Sequence, residues 1–133
     1  GAGHKTKLVY NLLTMGQAAL IAEALVAAAK SGLDIDAFSK VVAAGAANSG
    51  IYQLIVPSAL AGTYDGLKFC LDLARKDLRY YTHMTETLGL PSIVGEAVHQ
   101  SFVQASALGF GDGMVGNLVA AQEKITGAKV RRH

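Results

Sequence analysis

The chain has 133 residues, of which 51% are apolar and 17% are charged, and its formal net charge is +2. This length suits one domain with a substantial core, and so small a net charge gives no reason to expect a nucleic-acid or membrane partner. The single cysteine, Cys70, excludes an internal disulfide and is typical of a reducing compartment, so we expect a cytoplasmic protein.

The first predicted element is a long helix over about residues 4–30, with Gly32 just beyond its end. Its apolar run is long enough to suggest a membrane span. However, Asn11, Gln17 and Glu23 interrupt the run on different sides of the helix, and a carboxylate is costly in lipid. The sequence therefore favours a helix buried on nearly all sides within a helical domain.

Five shorter helices are predicted after the first one. Asp34 is expected to cap the second helix, which turns Phe38, Val41 and Val42 inward. The segment "GAANSG" is expected to form a turn before a third helix that ends near Leu60.

The fourth helix is predicted over residues 71–88, where Gly89 and Pro91 stop it, and the fifth over about residues 92–108. Asp112 is expected to cap the sixth helix, which ends near Ile125. No segment alternates apolar and polar residues over the length of a strand. The sequence therefore predicts an all-α domain over residues 1–125, with about six helices around a long central helix, and a flexible tail over residues 126–133.

The opening segment "GAGHKTK" looks at first like a phosphate-binding loop. A dinucleotide-binding fingerprint needs a preceding strand, a third glycine and a downstream acidic residue, and a P-loop needs a glycine before its lysine and Ser or Thr after it. Lys7 instead follows Thr6 and precedes Leu8. On the residues alone, Gly1 and Gly3 are interpreted as a flexible lead-in to the first helix.

Lys7 and Asn11 are four residues apart, so they share one face of the first helix. A lysine at this place is either solvated in the first turn or held in a cleft, where a desolvated amine can serve as a general acid or base. Asn11 could bind a hydroxyl or a carboxylate oxygen through its amide. The residues alone leave both interpretations of Lys7 open.

The segment "FCLDLARKDLRYY" places mixed charges on the fourth helix, including Asp72, Arg75 and Lys76. Such charges usually form a salt-bridged solvent face. His83 and His99 lack the paired spacing of metal ligands, so no metal site is expected.

Three segments together resemble the β-hydroxyacid dehydrogenase family, which includes 3-hydroxyisobutyrate dehydrogenase and tartronate semialdehyde reductase. "GAGHKTKLVYN" resembles the family's G-x-G-x-x-x-K-x-x-x-N segment, and "AEALVAAAKSGLDID" is similar to its E-A…G-[ILV]-D stretch. "FCLDLARKDL" resembles the later segment, in which an aromatic residue precedes K-D-L, with Phe69 eight positions before Asp77. The segments follow in the family's order, and the resemblance covers the chain through about Ile125.

The resemblance implies the C-terminal, all-helical domain of such an enzyme, with a fold like the C-terminal domain of 6-phosphogluconate dehydrogenase and a role in substrate binding and dimerisation. It implies that Lys7 is the catalytic acid/base and that Asn11 and Asp77 contact the substrate. It further implies that Lys76 and Phe69 contact an NAD or NADP cofactor. The implied reaction interconverts a small 3-hydroxy or 2-hydroxy acid with its semialdehyde or keto acid.

The partners implied by the resemblance are a small hydroxy acid, the chain's own N-terminal Rossmann domain, which is absent from these residues, and further copies of the chain. Without that domain the chain is expected to be inactive. The sequence departs from the family just after Asn11 and over residues 113–116, so the hydroxy acid is not specified. The alternative is a non-catalytic helical assembly module in which Lys7 and Lys76 are simply solvated.

Overall fold

The computed structural model describes residues 1–131, which form six α-helices and an isolated antiparallel bridge between Cys70 and Met114. This confirms the predicted all-α fold. The elements in chain order are α1 (Ala2–Lys30), α2 (Ile35–Ala43), α3 (Gly50–Ala61), α4 (Leu71–Thr87), α5 (Ile93–Ala105), a π-helical turn (Ser106–Phe110) and α6 (Asn117–Thr126).

Helix α1 is the centre of the fold, because it contacts each of the other five α-helices. Small side chains on α1 allow its neighbours to pack closely. Ala18 and Ala22 are almost completely buried, and the backbone at Gly16 lies against Val98 of α5. The largest fully buried side chains come from five helices and the loop before α6: Met15, Leu25, Ile55, Leu71, Leu78, Phe102, Val115 and Val119.

The prediction that α1 is buried on nearly all sides is wrong for this chain. Val9, Leu13 and Leu20 lie on its exposed face, and Leu20 is 70% exposed. By length and composition α1 could cross a membrane, but its opposite face supplies much of the domain core, as the central helix of a globular domain does. The exposed apolar face therefore has no partner among residues 1–131.

Local capping explains where α2 and α3 begin. The Asp34 carboxylate accepts hydrogen bonds from the backbone N–H groups of Asp36 and Ala37, which confirms the predicted cap. Ser49 caps α3 in the same way. On α2, Val42 is buried, whereas Val41 is 72% exposed, so the prediction that Val41 points inward is wrong.

The segment between α5 and α6 differs from its prediction. α5 ends at Ala105 and continues as the π-helical turn, which reaches Gly109 with a φ of 99°. The predicted cap at Asp112 is wrong: Asp112 is exposed, and α6 starts only at Asn117 after Gly116. The intervening loop is held against the start of α4, since Val115 N–H donates to the Phe69 carbonyl oxygen at 2.8 Å.

The segment after α6 is packed as far as the structure describes it, in contrast to the flexible tail predicted over residues 126–133. Ala128 and Val130 are buried, and Val130 N–H donates to the Glu123 carboxylate at 2.9 Å. Glu123 also accepts a hydrogen bond from the Tyr64 hydroxyl. Two of the tail residues, Arg132 and His133, lie outside the described residues.

Candidate active site

The packing of α1 against α4 brings the predicted Lys7 close to the predicted Asp77. The Lys7 Nζ lies 3.4 Å from Oδ1 of Asp77, which is about two turns into α4. The Lys7 side chain is 57% exposed, whereas the Asp77 side chain is 11% exposed. The ion pair therefore sits at the edge of the domain, with its carboxylate inside and its ammonium facing outward.

Asn11 joins the same pair from one turn further along α1. Its Nδ2 donates to Oδ2 of Asp77 at 2.9 Å, and both residues are buried. One carboxylate therefore binds a cation through one oxygen and an amide through the other. A buried carboxylate is stable in a folded chain when its oxygens are hydrogen-bonded and paired in this way.

The Lys7 side chain is more than half exposed in the described chain. The feature that distinguishes Lys7 from an ordinary solvated lysine is its buried carboxylate partner. The ion pair joins residues 70 positions apart along the chain, so sequence spacing alone could not reveal it.

Lys76 lies beside Asp77 on α4 and has no ion-pair partner among residues 1–131. Its Nζ is 6.0 Å from the centre of the Tyr80 ring, and that ring meets the edge of His4 at a centroid distance of 6.2 Å. Lys76 is thus linked through Tyr80 to the first turn of α1. Tyr80 was not predicted as a site residue, although its spacing of four residues from Lys76 places the two on one helix face.

Phe69 lies two residues before the start of α4. Its ring is half-buried and packs against the core. Among the described residues, neither Phe69 nor Lys76 forms a hydrogen bond or an ion pair with Lys7. The structure therefore brings Lys7, Asn11 and Asp77 into direct contact and leaves Lys76 and Phe69 as neighbours on or near α4.

Three of the chain's histidines, His4, His83 and His99, lie among the described residues. Over residues 1–131, no three His, Cys, Asp or Glu side chains are grouped closely enough to hold a metal ion. His83 lines a groove of about 370 Å³ between the start of α1 and the end of α4. Burial lowers the pKa of His99.

Residues 1–121 match the protein family described as the NAD-binding domain of NADP-dependent 3-hydroxyisobutyrate dehydrogenase. The chain belongs to this family, the β-hydroxyacid dehydrogenases, as its three sequence segments predict.

Curated relatives and a solved structure agree with this assignment. L-threonate dehydrogenase of Cupriavidus necator is 34% identical over 111 residues, which cover 84% of this chain and 37% of that protein. 3-Sulfolactaldehyde reductase of Escherichia coli K12 is 32% identical over 111 residues, with the same coverage of each chain.

The fold is shared with the crystal structure of a 3-hydroxyisobutyrate dehydrogenase from Salmonella typhimurium. The TM-score is 0.84 at 27% identity, over 90% of this chain and 42% of that one. The chain thus spans less than half the length of the relatives that it matches.

Proposed function

We propose that the chain is the helical substrate domain of an NAD(P)-dependent dehydrogenase or reductase. Its reaction interconverts a small 3-hydroxy or 2-hydroxy acid with the corresponding semialdehyde or keto acid. The observation that carries the proposal is the contact of Lys7 and Asn11 with one buried carboxylate, in a chain that belongs to the β-hydroxyacid dehydrogenases. We also propose a cytoplasmic location, on the single cysteine alone.

In this proposal Lys7 is the general acid and base. As an ammonium, it donates a proton to the carbonyl oxygen of the aldehyde or keto acid; as a neutral amine, it accepts the proton of the hydroxy acid. Its position supports this role. The buried Asp77 carboxylate pairs with the ammonium from the domain side, and the Lys7 side chain is exposed on the opposite side, where a ligand can approach. Asn11 lies one turn further along α1 and is proposed to contact the substrate hydroxyl.

The bound nicotinamide supplies or accepts the hydride. The described residues can contact part of this cofactor, but they do not form a complete site for a dinucleotide. Lys76 is exposed and has no ion-pair partner among residues 1–131, so its ammonium is available for a polar or anionic group. Phe69 is proposed to contact the cofactor from the chain just before α4.

A dinucleotide pyrophosphate is usually bound where a strand runs through a glycine turn into a helix. Residues 1–131 contain no such strand. We therefore propose that a Rossmann domain elsewhere in the full-length protein holds most of the cofactor, and that this chain alone is inactive.

The experiment is an assay of the full-length protein. NAD- and NADP-linked turnover is followed by absorbance with a panel of hydroxy acids and with the matching semialdehydes and keto acids. Turnover of at least one pair supports the proposal. Absence of turnover across the panel, combined with no binding of either cofactor to the full-length protein, would favour the alternative of a non-catalytic helical assembly module.

We also propose that the chain forms homo-oligomers through the exposed apolar face of α1 and α5. Leu13 and Leu20 of α1 and Ile93 and Val94 of α5 line a groove of about 420 Å³, and Ile93 is 84% exposed. Apolar patches of this kind commonly mark interfaces. Among the described residues, Glu23 is the only ionisable side chain that lines the groove.

Sedimentation of the chain over a dilution series tests this assembly. Leu20→Glu should shift the population toward monomer, because it places a charge within the apolar groove. The matched control is Val41→Glu on α2, since Val41 is also exposed but does not line the groove. A wild-type chain that stays monomeric at high micromolar concentration would contradict assembly through these helices.

A further inference from the structure

We infer that Asp77 is a positioning residue, whose carboxylate fixes the Lys7 ammonium and orients the Asn11 amide so that the Asn11 carbonyl oxygen faces the ligand. This role differs from the direct substrate contact that the family resemblance implies. The inference rests on the proposed function, because it concerns how the proposed acid/base and its neighbour are held.

The orientation of Asn11 follows from hydrogen-bond chemistry. An ionised carboxylate only accepts hydrogen bonds, so the group that Asn11 presents to Asp77 at 2.9 Å must be its NH₂. The Asn11 carbonyl oxygen then has no hydrogen-bond partner among residues 1–131. The described part of the chain contains no buried side-chain oxygen or nitrogen that lacks a partner. The Asn11 oxygen therefore retains some exposed surface within an otherwise buried side chain, and no described residue donates to it.

Asp77 is poorly placed to bind the substrate itself. Both of its oxygens are engaged, one with Lys7 and the other with Asn11, and its side chain is 11% exposed. The proposed substrate is a carboxylate, which a second carboxylate would repel at close range. A hydroxyl group, in contrast, can donate to the Asn11 oxygen while the Lys7 ammonium lies one helical turn away.

The orientation of Asn11 can be measured without turnover. The chain contains three asparagines, so labelling with ¹⁵N-asparagine gives three side-chain NH₂ signals, from Asn11, Asn48 and Asn117. In Asp77→Ala, the Asn11 signal should shift and its hydrogen exchange should accelerate about tenfold or more. Asn117 is the internal control, since its NH₂ is bonded to the Met114 carbonyl oxygen.

Asp72→Ala is the matched variant, because Asp72 is another α4 carboxylate with a basic partner, Arg75, but lies away from Lys7. It should leave the Asn11 signal unchanged. If Asp77→Ala does not fold, as judged from the Asn48 and Asn117 signals, Asp77→Ser is measured in its place. An Asn11 signal that is unchanged in a folded Asp77 variant would overturn the inference.

Turnover of the full-length protein separates positioning from substrate binding. Asp77→Asn keeps the side-chain shape but removes the charge, so kcat should fall about 10²-fold with little change in KM, since a misplaced proton donor slows the chemical step. Asp77→Glu should recover part of the loss, whereas Asp72→Asn should have little effect on kcat. A rise in KM with kcat unchanged in Asp77→Asn would instead assign Asp77 to substrate binding and overturn the inference.

The two proposals fail in different ways. Full activity of Lys7→Ala would remove the proposed acid/base role, yet the Asn11 signal would still report on the contact with Asp77. An active enzyme in which the Asn11 signal does not change on substitution of Asp77 would support the proposed function and contradict the positioning role of Asp77.

Discussion

Replacing Lys7 by methionine should separate the proposed acid/base role of the ammonium from its contribution to folding. Methionine keeps most of the apolar stem and deletes only the charge. The ion pair with Asp77 spans 3.4 Å, but the Lys7 side chain is 57% exposed and therefore well screened by water. Exposed ion pairs contribute about 0–1 kcal/mol to the free energy of unfolding, and the remaining Asn11 hydrogen bond still satisfies one Asp77 oxygen.

The expected loss of stability in Lys7→Met is therefore about 1 kcal/mol or less, which corresponds to about 3–5 °C in Tm for a chain of this size. Turnover, in contrast, should fall by about 10²–10⁴-fold, as expected when a positioned proton donor is removed. Stability is measured by urea unfolding and turnover in the full-length protein. The control is Lys5→Met, which removes another exposed lysine from the same helix.

Two results would refute this reasoning. A loss of about 3 kcal/mol or more would mean that the ion pair behaves as a buried one and that Lys7 has a structural role. Turnover equal to that of Lys5→Met at every pH would rule out Lys7 as the acid/base.

Four further predictions follow from other parts of the molecule. Lys76→Ala in the full-length protein should raise the KM for NAD(P) more than it lowers kcat, and an unchanged cofactor KM would remove Lys76 from the cofactor site. Titration calorimetry of this chain with NAD and NADP should detect no binding at micromolar concentrations, whereas micromolar affinity would place the main cofactor contacts within these residues. Gly66→Ala should destabilise the chain by about 1–3 kcal/mol, because the new Cβ would lie 1.9 Å from a backbone oxygen of α3, whereas Gly50→Ala meets nothing within 4 Å and should not lower Tm. Burial and the hydrogen bond to Glu123 raise the pKa of Tyr64 from 10.0 to about 12. The stability that the neutral Tyr64 hydroxyl contributes is therefore complete below pH 10 and is lost as the pH rises from about 10 to about 12. The unfolding midpoint of Tyr64→Phe should lack the fall in stability that the wild-type chain shows over this pH range.

The elements that the sequence predicts well are set by local chemistry. Asp34 caps α2 through its own neighbours, and Gly32 and Gly89 adopt the positive φ values, 86° and 68°, that end helices. The shared helix face of Lys7 and Asn11 is likewise a matter of spacing along one helix. Such features need no knowledge of the rest of the fold.

The features that the sequence could not predict depend on distant parts of the chain. The contact between Asn11 and Asp77 joins residues 66 positions apart, and the loop before α6 is fixed by hydrogen bonds to Phe69 and Leu71. Helix α1 is apolar around most of its circumference, so the pattern of apolar residues does not predict which of its faces is buried. The resemblance to the family predicted that residues of the first and fourth helices lie close together, which periodicity alone could not predict.

The length and continuity of α1 have a mechanical consequence for the chemistry that we propose at its first two turns. The helix is unbroken over 29 residues, so it behaves as a rod of about 43 Å, and Lys7 lies about 13 Å from Gly16, where the rod rests against α5. A tilt of about 5° about that point would carry the Lys7 backbone about 1 Å sideways. Displacements of that size are enough to slow a reaction about a hundredfold. The small residues that pack α1 closely against its neighbours in the middle of the domain thus limit how far the backbone of its first two turns can move.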